Sequence, residues 1–392
     1  MSKLLSDIKI VGFIRAAAGS ACIKVLADMG ADVYFIEPLK GHPHRHLAHS
    51  YFEMYHADMK SVPISPRDPE GLELMKKLIA DADVFVSNYR PNVLKKIGLD
   101  YETLSEKHPK LIHATLTGYG EKGPMAMTPG FDITGFWAKA GLMNDMMEAG
   151  GSQINPPAAM GDIECGKSLA TGVIAALYDR TKTGKGMKVT TSLYSEGLYA
   201  NHCPIIDQQY GMEYPYARKD YPRALKNSFH CKDGWIQAMT LNFDKDFNNF
   251  LTVIHREDLI GDARWTCMKD TEGDKARELT DILDEAFAKI TVDEAIAGFE
   301  KYDIACSRFF TGLSTVTDEQ AEVNGYFEHV VDKNGVALKV PRLPIQFNDE
   351  PADPDRYHSK LGGDTVAVMK SLGYSDEKIA EMAERGAIKV AE

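Results

Sequence analysis

Apolar residues dominate Ile8 to Ile14, and this short run reads as a buried strand. The small-residue loop RAAAGSA leads from it into a helical pattern that ends at Met29 and Gly30, after which DVYFIE resumes as strand. The alternation continues: GLELMKKLIADA reads as helix, DVFVSN as strand, LKKIGLDYETLSEKHP as mostly helix and LIHATLTGYG as strand. Such alternation predicts a parallel sheet covered on both faces. In PAAMGDIECGKSLATGVIAAL, Leu169, Ala170, Val173, Ile174 and Leu177 recur at steps of three and four, so a long helix can pack one face on this core. TKTGKG then supplies a glycine stop and KVTTSLY a further strand, which makes residues 1–215 one α/β domain.

From about 220 to 320 the pattern changes. HCKDGWIQAMTL reads as a pair of hairpin strands, and the amphipathic stretches from DKDFNNFLTVIHRED to TVDEAIAGFEKYD read as helices, which predicts a smaller, mixed domain. The proline-rich VPRLPIQFNDEPADPD reads as a crossing linker. DTVAVMKSLGYSDEKIAEMAERGAI closes the chain with two helices, the second opening on an N-cap signal at SDEKI.

The length of 392 residues and 44% hydrophobic content supply more than one core. A net charge of -12 and a pI near 5.5 argue against a general nucleic-acid binder and leave room for a local basic pocket around an anionic cofactor. Six cysteines without a C-x-x-C pair fit reduced thiols in a cytoplasm. Asp7, Lys9 and Arg15 interrupt what would otherwise mimic a signal peptide, and no apolar run is long enough to span a bilayer, so no membrane association is expected.

Asp162 stands just ahead of the long apolar stripe, where local chemistry leaves two readings open. It can cap the helix, accepting an unpaired N–H of the first turn, or it can be a carboxylate held ionised by the helix dipole for chemistry. Cys165 beside it is a second candidate nucleophile, or a small packing residue. GFIRAAAGSA lacks the G-x-G-x-x-G that a dinucleotide oxidoreductase needs, although the turn near Gly19 can admit a phosphate or thioester. GHPHRHLAHS gathers His42, His44, His46 and His49 in loose spacing, with no nearby carboxylate or cysteine pattern to complete a ligand set; a solvated loop and no metal are expected. Asn88, Tyr89, Arg90 and Pro91 follow the DVFVSN strand, at the sheet edge where ligands collect. They read either as a proline-stopped turn, with Lys95 and Lys96 on an exposed helix face, or as a basic rim for a phosphorylated cofactor.

Several segments together resemble the class III CoA-transferases, the group that includes formyl-CoA and carnitine CoA-transferases and relatives acting on 2-hydroxyacyl-CoA. They are AAGSACIKVLADMGADVYFIEP, DPEGLELMKKLIADADVFVSNYRPNVLKKIGLDYETL, KLIHATLTGYGEKGP, PGFDITGFWAKAGLM, MGDIECGKSLATGVIAALYDRTKTGKGMKV and LGYSDEKIAEMAERGAI, in the family's order over nearly the whole chain. The resemblance implies an interlocked homodimer. Each subunit would have a Rossmann-like parallel-sheet large domain, residues 1–215 completed by 325–392, and a smaller mixed α+β domain over 220–320. It makes Asp162 the nucleophile and coenzyme A the acyl-CoA cosubstrate, contacted through Ala16, Ile64, Arg67, Asn88, Tyr89 and Lys96. The chain departs from the pattern in three places. Pro38 stands where a basic residue often follows the I-E pair, with Lys40 or Arg45 as substitutes. The glycine-rich flap of formyl-CoA members has no counterpart around MTLNFDKDF. Ile163 follows the nucleophile where the 2-hydroxyacyl branch leads one to expect His.

The mechanism so implied passes CoA between two carboxylic acids through an aspartyl mixed anhydride and an aspartyl-CoA thioester. Backbone N–H groups at the start of the following helix would stabilise the oxyanions, and Arg67 and Lys96 would anchor the CoA phosphates. An α-methylacyl-CoA racemase of the same fold needs a second base, which relatives supply as a His where this chain has Phe131. A non-catalytic acyl-CoA-binding protein, with Asp162 only a cap, is the alternative of another class. The substrates implied are 2-hydroxy acids or their enoyl-CoA products, as in amino-acid-fermenting anaerobes. Phe131, Phe136, Trp137 and Met143 would line an acyl pocket or belong to the core.

Overall fold

The computed structural model describes residues 4–47, 49–157, 159–332, 334–352 and 357–391. In chain order, residues 9–209 run β1 (Lys9–Phe13), α1 (Ala17–Asp28), β2 (Asp32–Glu37), α2 (His44–Leu47), α3 (His49–Tyr55), β3 (Met59–Pro63), α4 (Pro69–Ala80), β4 (Val84–Ser87), α5 (Pro91–Ile97), α6 (Tyr101–Lys107), β5 (Ile112–Thr117), α7 (Leu142–Asp145), α8 (Met160–Thr183), β6 (Lys188–Ser192), α9 (Leu193–Ala200) and α10 (His202–Gln209). The six strands pair in the order β3-β2-β1-β4-β5-β6, every pairing parallel. That is the doubly wound order, and its direction reverses between β1 and β4. Residues such as Ile10, Val11, Ile36, Val84 and Phe85 are fully or almost fully buried because helices cover both faces.

Small residues bring α1 against α8. A Cβ on Gly166 would lie 2.6 Å from Ala21 Cβ and 2.8 Å from the Cys22 nitrogen, so the two backbones meet where no larger side chain fits. The strand expected over KVTTSLY stops two residues early, at Ser192. Its hydroxyl accepts the Ser195 N–H in a capping box and turns the chain into α9.

Contacts divide the chain into two compact units, one made of residues up to 143, 155–205 and from 319 onward, the other of 144–154 and 206–318. The second unit holds β7 (Lys226–Cys231), β8 (Gly234–Met239), α11 (Phe243–Val253), α12 (Asp274–Phe287), α13 (Val292–Lys301), β9 (Ala305–Arg308) and α14 (Gly312–Thr315). Its strands form an antiparallel sheet, β7-β8-β9, and Phe229 and Phe287 stack at 4.4 Å in its core.

The first unit resumes with α15 (Glu319–Val323), an antiparallel pair β10 (Phe327–Val331) and β11 (Ala337–Pro341), and the short pair β12 (Gln346–Phe347) and β13 (Glu350–Pro351). The proline-rich segment expected to be a plain linker thus carries strands, with Pro341 and Pro351 at strand ends. Residues 353–356 of it lie outside the described residues. The closing helices are α16 (Thr365–Ser371) and α17 (Asp376–Glu384), with Ser375 accepting the Lys378 N–H as the cap. This end of the chain is sewn onto edge strand β3: Lys389 N–H donates to Pro63 O at 3.1 Å, Ser65 N–H to Ala387 O at 2.8 Å and Ser61 N–H to Asp364 Oδ2 at 2.8 Å.

Candidate functional site

The crevice at the carboxyl ends of β1 and β4 is where a doubly wound sheet accepts a ligand. Here the two loops are tied together: Arg15 N–H donates to Asn88 Oδ1 at 2.9 Å, and Tyr89 stacks on Phe13 at 4.1 Å. Ala16 is the extended N-cap of α1 and contributes no side-chain cap, which leaves first-turn N–H groups for a partner outside the helix. Ala16, Asn88 and Tyr89 therefore converge on one crevice. Lys96 is exposed on α5, which follows directly, and Arg67 is exposed between β3 and α4. β3 lies two strands from β1, about 10 Å along the sheet edge. Arg15, Arg67, Arg90, Lys95 and Lys96 make no ion pair among the described residues, so the rim carries uncompensated positive charge. Ile64 differs: its side chain is buried and its N–H donates to Glu37 O at 3.0 Å, which places it in the core.

Asp162 is the third residue of α8, and it does not cap that helix. The N-cap is Ala159, left-handed at φ 71° and without a side-chain cap bond. The Asp162 carboxylate instead accepts the Ala18 N–H from the first turn of α1. Burial pushes its carboxyl up to about 7, the nearby Asp132 charge adds to the rise, and the Ala18 bond opposes both. Tyr51 and Tyr55 of α3 face the same carboxylate; burial first, then its charge, raises both phenols. Tyr55, Ala17, Ala21 and Ala159 form a small apolar cluster with Tyr51 and Ile163 packed against it, so the carboxylate is partly screened from water while remaining open to solvent on one side.

The cap of α8 comes from another segment. Asp132 Oδ1 accepts the Asp162 N–H at 3.1 Å, and the Gly161 and Ala159 N–H groups point to the same carboxylate. Asp132 thus takes N–H groups at the start of α8 that the sequence reading assigns to a reaction oxyanion. Burial raises the Asp132 carboxyl and these N–H groups oppose it. A nucleophilic Asp162 works ionised, so kcat/KM should fall as pH drops through about 7. Asp132→Asn keeps an accepting oxygen and removes the like charge, so this limb should move to lower pH by on the order of one unit. A pH profile with an unmoved midpoint would contradict the coupling.

Other sequence expectations change. Cys165 is completely buried, its thiol pushed up by burial with Thr191 Oγ1 3.9 Å away, and is a packing residue. Arg45 does not replace the missing basic residue after Glu37: it folds onto Glu37 itself, Nε and Nη2 each donating at 2.7 Å. Phe136 and Trp137 belong to the core, whereas Phe131 is 63% exposed. The histidine loop is only partly solvated: His46 is exposed, His42 and His44 are buried together with His56, and the His49 side chain lies outside what the structure describes. Nothing in the spacing of GHPHRHLAHS marks His56, which folding brings in from the end of α3.

The CoA-transferase family III model matches residues 5–365. An (R)-2-hydroxy-4-methylpentanoate CoA-transferase of Clostridioides difficile is 35% identical over 96% of this chain and 97% of its own length. A cinnamoyl-CoA:phenyllactate CoA-transferase of Clostridium sporogenes is 32% identical over 97% and 96%. Among solved structures, a CAIB/BAIF family protein from Brucella suis superposes with a TM-score of 0.80 at 26% identity, covering 94% of this chain and 99% of that one.

Proposed function

The chain belongs to CoA-transferase family III, and from that premise we propose that it moves coenzyme A between 2-hydroxy acids, or their enoyl-CoA products, by nucleophilic catalysis at Asp162. One observation carries this reading: a carboxylate at the mouth of the β1/β4 crevice, not used as a cap, held by the Ala18 N–H and poised near neutral pH. Attack of an Asp162 oxygen on an acyl-CoA thioester forms the acyl-aspartyl anhydride and expels CoA thiolate. The thiolate attacks the aspartyl carbonyl, releasing the first acid and leaving aspartyl-CoA. The acceptor acid then attacks that thioester, and returning thiolate takes the new acyl group, which restores Asp162. The Ala18 N–H, already aimed at this carboxyl, is the donor available to the oxyanion at the aspartyl carbonyl.

Both relatives act on acids with bulky apolar groups. Phe131 and Met160, 63% and 48% exposed on the segments that carry Asp132 and Asp162, suit the same acyl class. The exposed apolar residues Ile174 and Tyr178 of α8, Leu198 and Tyr199 of α9 and Ile206 of α10 support burial in an interlocked homodimer. Free Cys203 and Cys267 at the surface fit the cytoplasm, and no described helix is long and apolar enough to cross a membrane.

Ala16, Asn88 and Tyr89 would seat the CoA chain while Arg67 and Lys96 take its phosphates. Arg67→Ala and Lys96→Ala are each expected to raise KM for acyl-CoA about tenfold with little change in kcat, and to leave acyl-pantetheine turnover unaffected. Ile64 offers only its backbone. The function itself is tested by mass-spectrometric screening of isotope-labelled acids against acyl-CoA donors. Rapid CoA exchange supports transfer; α-deuterium uptake from heavy water without an acceptor acid would point to racemisation; binding without either would leave only a carrier.

A further inference from the structure

Three imidazoles cluster next to Tyr51 and Tyr55, with His44 in ring contact with both. His42 is fully buried and His44 and His56 nearly so. One ring nitrogen from each lies within 4.8 Å of the other two. His44 Nδ1 and His56 Nε2 are 2.9 Å apart, and His42 Nδ1 accepts the His44 N–H at a long 3.3 Å. His56 Nδ1 is buried without a hydrogen-bond partner, which is the exception in protein interiors, and His42 Nε2 has none beyond a looser contact of its ring with the Arg15 backbone. Burial disfavours the charged form of all three rings, and neutral imidazole is the ligating form. His44 also packs on both tyrosines, its ring 4.8 Å from Tyr51 and 6.1 Å from Tyr55.

We propose that His42, His44 and His56 bind one divalent transition-metal ion of the zinc class, with water as fourth ligand, fastening the turn before α2 to the end of α3. Three imidazoles suit zinc, cobalt and their neighbours rather than magnesium or calcium. Zinc–nitrogen bonds of 2.0–2.1 Å set ligand nitrogens about 3.4 Å apart, so the trio closes by on the order of 1 Å while the His44–His56 contact opens slightly. The proton in that contact moves to the other nitrogen of the same ring, and nothing is oxidised or released. Buried Glu37 holds the turn that carries His42: Oε2 accepts the His42 backbone N–H at 2.9 Å, while Arg45 and Ser61 hold the rest of the carboxylate. Held this way, α3 presents Tyr51 and Tyr55 to the candidate nucleophile.

The test uses full-length untagged protein, stripped with chelator and titrated with Co²⁺. The expected result is one ion per chain with the visible bands of tetrahedral cobalt, displaced by Zn²⁺, retained in Asp162→Asn and lost in His44→Gln and His56→Gln. The exposed Cys203–His202 pair, 3.2 Å apart, is the competing surface site and would add a thiolate charge-transfer band. Should the histidine variants fail to fold, X-ray absorption on the loaded wild type decides, with three imidazoles and no sulfur expected. Absence of stoichiometric binding, binding that survives both substitutions, or a sulfur ligand would overturn the site. Because Asp162→Asn is a positive arm, loss of the transferase reading leaves this result intact.

Discussion

Asp162→Asn should lower CoA exchange between acids by at least about 10³-fold while acyl-CoA still binds within a few-fold of wild type. The amide matches the carboxylate in shape and cannot form an anhydride, so what disappears is the covalent step. The variant should also keep its fold. An acid whose folded value is raised, here to about 7, contributes stability at low pH that is lost as pH rises between its ordinary range and 7. At pH 8 the wild type bears the whole cost of an ionised, partly buried carboxylate beside Asp132. Asp162→Asn removes that cost and should melt no lower, gaining about 1 kcal/mol once solvent access is allowed for. Exchange within tenfold of wild type, measured alongside melting and binding, would end the nucleophile reading.

Gly161→Ala is expected to damage both stability and turnover. A Cβ there would sit 2.2 Å from Phe136 Cγ, 2.6 Å from Phe136 Cβ and 2.5 Å from Asp132 Oδ1. Phe136 is buried in the π-helical turn Ile133–Ala138 and has no room to retreat. Asp132 can move only by releasing the N–H groups it caps, which leaves buried donors unpaired. Overpacking and cap loss together should cost about 3 kcal/mol or more, and the displaced start of α8 should cut exchange by at least about 10²-fold. Gly312→Ala is the control, because a Cβ there meets nothing within 4 Å; it should stay within about 0.5 kcal/mol. Equal urea midpoints for the two variants would contradict this packing.

The sheet was legible because buried parallel strands and amphipathic helices write their periods locally. IKIVGF, DVYFIE and DVFVSN became β1, β2 and β4, and the glycine stop after Thr183 ended α8. β3 was missed: MKSVP is short, and its edge position becomes plain only when Lys389, Ala387 and Asp364, some three hundred residues later, bond to that part of the chain. The site divides the same way. Of the two readings open for Asp162, the cap is the one the structure removes, and local sequence could not do so because the true cap, Asp132, arrives from thirty residues earlier. His56 and the Arg45–Glu37 pair were hidden for the same reason. Periodicity reports what a residue does within its own element, and these groups act across elements.

The most direct test of the whole account is to let the enzyme turn over acyl-CoA in the presence of hydroxylamine and then read its peptides by mass spectrometry. A hydroxamate confined to Asp162, formed only when acyl-CoA is present, is the predicted result. An unmodified Asp162 during sustained turnover, or modification at Asp132 or Cys165 in its place, would contradict it.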